Sequence, residues 1–150
     1  IYELVLLAQR EAIKAIKPGS SWNAPHNVSV KVITKGLLEL GLLKGSPSSL
    51  IKSQEYRRYY MHRVGHWIGM DVHDVGDYKV DDEWRALENG MVTTIEPGIY
   101  IGSESDIPIK YQNIGIRIED MVVVNNDTPI VLSQSLVKNP AAIEAIMNNS

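Results

Sequence analysis

A chain of 150 residues is the size of one domain, long enough to bury roughly 70% of the surface its unfolded form exposes. Its 15 basic and 18 acidic residues give a formal net charge of -3 with no basic run, which excludes the electrostatic footprint of a nucleic-acid or anionic-membrane partner. It has no cysteine, so disulfides and thiolate metal sites are ruled out, and no apolar stretch reaches the length of a membrane span.

The chain opens on Ile1, already inside an amphipathic helix predicted over 1–16, with Val5, Ala8, Ala12 and Ile16 at helical spacing and no capping residue ahead. A start inside a helix, without a secretory pattern, leads us to expect a piece of a longer, cytoplasmic protein. Pro18-Gly19 stops this helix. A second begins near "SSWNAPHN", where Pro25 is tolerated only in the first turn; Val30, Ile33, Leu37 and Leu40 give it one apolar stripe, and Gly41 or Gly45 ends it.

After "KGSPSS" the pattern changes to β-branched and aromatic residues. "YRRYYMHRVGHWIGM" (56–70), "MVTTIEPGIYI" (91–101) and "IGIRIEDMVVV" (114–124) read as strands, separated by polar loops at 79–90 and 102–113. "KNPAAIEAIM" closes the chain as a helix, with Asn139 as N-cap and Pro140 at the first helical position. The expected fold class is therefore α+β, one domain over 1–150: two helices, antiparallel strands, a final helix.

Within this frame His62, His66 and His73 fall inside twelve residues, although the chain has only four histidines. Side chains repeat every second residue on a strand, so His62 would share a side with His66, and Arg117 with Glu119. Glu96 ends the apolar run "MVTTI" just before Pro97-Gly98, and Glu119 sits inside another. Carboxylates in such runs are costly unless paired or bound to a cation. Taken singly, each residue also fits a structural role, the glutamates paired with Arg117 and the histidines satisfied in a core. Taken together, three histidines and two carboxylates make a metal pocket of imidazole and carboxylate ligands. The helical zinc motif with two histidines fails, because Arg63 follows His62 and Gly65 and Gly69 interrupt the run.

In order and separation, "HRVGHWIGMDVHDVGDY", "LENGMVTTIEPGIYI" and "IGIRIEDMVVV" resemble the second half of the catalytic domain of Xaa-Pro aminopeptidases (aminopeptidase P), pita-bread metallopeptidases that also include prolidases. The likeness runs from the "YELVL" helix to the "KNPAAIEAIM" tail. It implies the C-terminal half of a pita-bread fold, a curved antiparallel sheet with helices on its outer face. It also implies removal of the N-terminal residue from peptides with proline second. His66, Glu96 and Glu119 would bind metal, Glu96 also handling a proton; His62 and His73 would line the substrate side and assist catalysis; Arg117 would orient the carboxylates. The cofactor would be divalent metal, manganese, with two ions in the complete enzyme. Two such ions, roughly 3.5–4 Å apart, activate water and polarise the scissile carbonyl.

The family pattern has two further aspartates in an earlier segment and an N-terminal domain, all missing from this sequence. The expectation is thus at most one weakly held ion and little or no cleavage by these residues alone. Arg63 stands where glycine is common, and Asn89-Gly90 where proline-glycine is usual. A second function class is a non-catalytic module of the same fold that binds peptides or proteins; a third reading is a prolidase. Trp67 and "DVHDVGDY" favour aminopeptidase P. The expected partners are a proline-containing peptide and a second copy of the chain, since a half sheet leaves an edge and an apolar seam.

Overall fold

The computed structural model describes residues 1–148. Helix α1 (Tyr2–Lys14) buries Val5, Leu6, Ala8, Gln9 and Ala12 along one face and packs against α2 (Ala24–Glu39), which presents Val30, Ile33 and Leu37. A fully buried aliphatic side chain of this kind contributes about 1.5–3 kcal/mol before the entropy of ordering it is set against it. The amides of Leu42 and Leu43 return to the Leu37 carbonyl, and that of Gly41 to Leu38, so α2 ends where the glycine foretells. A third helix, α3 (Pro47–Ser53), was not expected from the sequence. Ser46 caps it by accepting from the Ser49 amide at 3.2 Å, and a single 3-10 turn follows over Glu55–Arg58.

The strands among the described residues are β1 (Lys79–Val80), β2 (Glu83–Trp84), β3 (Val92–Ile95), β4 (Gly98–Ile101), β5 (Ile114–Arg117), β6 (Asp120–Val123) and β7 (Ile130–Val131). The hairpin β1–β2 lies in the stretch expected to be loop, and β7 was not foreseen. The strands predicted over 91–101 and 114–124 are both broken in the middle. β3 pairs with β6 and β4 with β5, and the hydrogen-bonded ladder stops between the two pairs. Ile95 lies opposite Asp120 before the break and Gly98 opposite Arg117 after it, so no residue is inserted on either side. Continued through the break, Glu96 lies opposite Glu119 and Pro97 opposite Ile118. Proline lacks the N–H that the ladder would need there.

The predicted strand over 56–70 is corrected: it contains the 3-10 turn and then irregular chain. Its composition is satisfied by burial instead, with Tyr59, Tyr60, Val64 and Trp67 all in the interior. Only residues 64–67 run beside β3. The Thr94 amide donates to the His66 carbonyl at 3.0 Å, the Glu96 amide to the Val64 carbonyl at 2.6 Å, and Trp67 bridges Thr93. Gly65 permits this approach, because a Cβ there would stand 1.9 Å from the Thr94 carbonyl oxygen.

Alternation sorts the two faces of the sheet. Ile95, Ile99, Ile101, Ile118 and Val122 are buried in two apolar clusters that both include residues of α1. Thr94, Glu96, Tyr100, Arg117 and Glu119 have the opposite parity and share the other face. The chain closes with α4 (Pro140–Asn148), whose Ala142 amide donates to the Asn139 side chain at 3.1 Å, the expected cap. Among the described residues no helix is long and apolar enough to cross a membrane.

Candidate metal centre

Three adjacent lengths of chain deliver three donors to one point. His66 comes from the 64–67 strip, Glu96 from the end of β3 and Glu119 from the turn between β5 and β6. One ligand atom of each lies within 4.8 Å of the others. The His66 ring is fixed by its Nδ1, which is 2.8 Å from the Trp67 carbonyl oxygen; since that oxygen only accepts, the proton is assigned to Nδ1. The Nε2 lone pair then faces Glu96 Oε1 at 3.2 Å. A lone pair directed at a carboxylate oxygen is repulsive unless a cation or proton lies between them.

Glu96 is only 7% exposed. Its Oε1 accepts from the Thr94 hydroxyl at 3.0 Å, and Arg117 Nη1 approaches Oε2 at 3.4 Å. Glu119 is more open, yet its carboxyl is pushed above the ordinary range, first by burial and then by the neighbouring Glu96 charge. Like charges facing each other across a strand pair are destabilising. The Arg117 charge opposes that push without cancelling it, and His66 and His73 add to the opposition when protonated. Two convergent carboxylates and an oriented imidazole nitrogen, with too little positive charge from the chain, fit a divalent cation.

His73 comes from an exposed loop and sets its ring edge-on to His66, centroids 4.4 Å apart. His62 lies on the other flank. Its Nδ1 is 2.7 Å from the Arg63 carbonyl oxygen and its Nε2 3.0 Å from the Tyr100 hydroxyl. Arg117 Nε donates to that same hydroxyl at 2.6 Å. The donors therefore run in one direction, from Arg117 to Tyr100 to His62, and burial lowers the His62 pKa, favouring the neutral ring this requires.

All six residues singled out from the sequence thus gather on one side of the sheet. Tyr100 and Thr94 were missed. The available signal was even spacing, since 94, 96 and 100 share a parity. The reason given for His62 and His66 does change: irregular chain held by Gly65, not strand alternation, brings them together.

The family model of metallopeptidase family M24 matches residues 1–126. The Xaa-Pro aminopeptidase of Haemophilus influenzae is 47% identical over 148 residues, covering 99% of this chain and 34% of that protein. The solved structure of Pseudomonas aeruginosa aminopeptidase PepP superposes with a TM-score of 0.96 at 51% identity, covering 99% of this chain and 34% of the other. Aminopeptidase P from E. coli with the inhibitor Pro-Leu gives 0.93 at 42% identity, with coverage of 99% and 34%. The chain thus spans about a third of the length of the curated relatives it matches.

Proposed function

The chain belongs to metallopeptidase family M24, and on that premise we propose that it is the C-terminal part of a metalloaminopeptidase that removes the residue preceding proline at a peptide N-terminus. The observation that carries this reading is the convergence of His66 Nε2 with the Glu96 and Glu119 carboxylates on the face opposite the helices. Partners of its relatives point the same way, since one is held with Pro-Leu.

In this proposal His66, Glu96 and Glu119 hold divalent metal, manganese, and the remaining ligands come from parts of the longer protein that this chain does not cover. When bound, such ions lower the pKa of water and polarise a carbonyl oxygen. The chain's own residues then have separate tasks. Glu96, with one oxygen held by Thr94 and the other near Arg117, receives the proton released in the attack on the peptide bond. His73, exposed and beside His66, donates toward the oxygen that gains charge, a contribution of roughly 3 kcal/mol in comparable sites. His62 lines the substrate side; both its ring nitrogens are engaged, so proton transfer through it requires breaking the Tyr100 contact. Arg117 holds Glu96 and Tyr100 in place.

The test is cleavage of an Xaa-Pro-Xaa tripeptide by the full-length protein, with metal analysis of the purified sample. Chelation should abolish turnover and manganese should restore it. Equal activity with and without chelator overturns the reading in favour of a binding module, and cleavage of Xaa-Pro dipeptides alone favours a prolidase. The isolated chain should bind at most one ion weakly by calorimetry and cleave little. Light scattering reads the proposed self-association.

A further inference from the structure

A cavity of about 350 Å³ beside the start of α2 shares no lining residue with the metal centre. Its lining includes Asn23, His26, Asn27 and Lys31 from the start of α2, with Gln54 and Arg63 across from them. Two cations line it and no acidic residue does.

Arg63 is held ready. Its guanidinium lies over the Trp84 ring, 4.4 Å from the centroid, and Nη2 donates to Asn23 Oδ1, yet the residue stays exposed. Among the described residues it makes no ion pair, and only Tyr60 and Tyr56 offset the burial that lowers its pKa. Nη1 and Nε are left to donate, the two-pronged geometry that matches a planar carboxylate.

The wall opposite is also short of acceptors. The first turn of α2 contains no acidic residue and Asn23 makes no side-chain cap; the Ala24 amide is taken by the Ser21 carbonyl and Pro25 has no N–H, so what the helix end offers is its partial positive charge with no carboxylate set against it. His26 is only 8% exposed, and its Nδ1 has no hydrogen-bond partner. Burial first, and then the charge of Arg63, push this histidine down to about 4, so the ring in the cavity wall is neutral near pH 7.

We infer that Arg63, Lys31 and the first turn of α2 form a carboxylate-binding subsite beside the metal centre, filled by a free small dicarboxylate or by the carboxylate a peptide carries beyond its proline. The volume is near the lower end for small-molecule sites and larger than a lone ion needs. Arg63 follows His62 directly in the chain, and His62 lies near enough to His26 in the cavity wall to bear on its charge. Only the second source rests on the peptidase reading.

Calorimetry on the full-length protein separates the sources, with succinate as the free probe and Ala-Pro-Ala as acid and C-terminal amide for the peptide. At least one of succinate and the acid peptide should bind the unaltered protein about tenfold more tightly than it binds Arg63→Gln, the loss of a charge-assisted bond. The amide should not distinguish the two proteins, and Arg63→Lys should recover part of the loss. Discrimination of succinate alone assigns the site to a free ligand, and of the acid peptide alone to substrate. If Arg63→Gln melts early, Lys31→Gln, whose side chain makes fewer contacts, should show the same selective weakening. A protein that fails to cleave Xaa-Pro peptides but binds succinate through Arg63 loses the peptidase reading and keeps this one. Equal affinity of unaltered and substituted proteins for succinate and for both peptides overturns the subsite.

Discussion

Glu119 and Asp120 are neighbours in the chain and face opposite sides of the sheet, and the two carboxylates live in different surroundings. Asp120 is 4% exposed, faces α1, and has its needs met by the chain: Lys138 Nζ at 2.8 Å, the Ser133 hydroxyl and the Gln9 amide. Glu119 faces the other way, toward a second carboxylate, and its pKa is raised first by burial and then by the Glu96 charge, which the nearby cations do not balance. Burial alone therefore does not mark a functional acid. The mark is a set of partners left incomplete, which on one face of this sheet locks α1 and the 133–138 segment to β6 and on the other leaves room for a cation.

The largest effect should come from the site face. In the full-length protein Glu96→Gln should lower kcat for an Xaa-Pro peptide about 10²–10⁴-fold, the usual worth of a positioned proton acceptor, with the melting temperature in chelator unchanged. Near-normal turnover would make Glu96 structural, as Asp120 is, and the contrast would fail. On the helix face the effect moves to stability. Asp120→Ala leaves Lys138 without its partner and should cost about 3–5 kcal/mol in urea unfolding, with kcat per folded molecule unaltered. If activity falls and stability does not, the two faces are not separate in function.

Gly65→Ala sharpens the comparison at the strip between them. The methyl group meets backbone, which cannot rotate away, so a loss of about 1–3 kcal/mol is expected together with weaker metal binding, because His66 must shift. Stability lost with metal affinity intact would show that the strip and the ligand move independently.

The smallest effect is a pH slope. A carboxyl raised above its ordinary 4.5 in the folded chain binds more protons there than when unfolded. Metal-free stability from Glu119 is thus complete below 4.5 and falls as pH rises through the raised value. The opposite contribution of Asp106, held low by its hydrogen bond to Arg58, is common to both proteins and cancels in a difference. Melting temperatures of the unaltered protein and Glu119→Gln, compared in chelator from about pH 4 to about pH 7, should diverge in favour of the variant as pH rises. Parallel curves would mean that Glu119 is already balanced.

Much of this arrangement was legible in the sequence, and the exceptions have local causes. The stripe of α2, the Asn139 cap and the shared side of Arg117 and Glu119 follow from periodicity and capping, which need only near neighbours. The hairpin β1–β2 was hidden in a polar stretch because its turn is Asp81-Asp82, both at positive φ, a pair easily read as solvated loop. Helix α3 had a serine cap and a proline at its first position, a signal too short to outweigh the composition after it. The segment 56–70 was misread because tyrosine, valine and tryptophan mark burial as readily as strand. Parity placed Tyr100 on the face of Glu96, but its residue type did not announce that its hydroxyl joins His62 to Arg117.

The break between the two strand pairs has a consequence for folding fidelity. Side chains alternate with a period of two, so slipping either strand of a pair by one residue turns its glutamate to the helix face. A chain paired in the wrong register would still be compact and rich in hydrogen bonds, and most spectroscopic probes would pass it as folded. It would, however, be blind to metal, because Glu96 and Glu119 meet only when both ladders keep their count through Pro97. Uptake of a divalent ion would then act as an inspection step, retaining molecules whose register is true and leaving slipped ones without the stabilisation that binding confers.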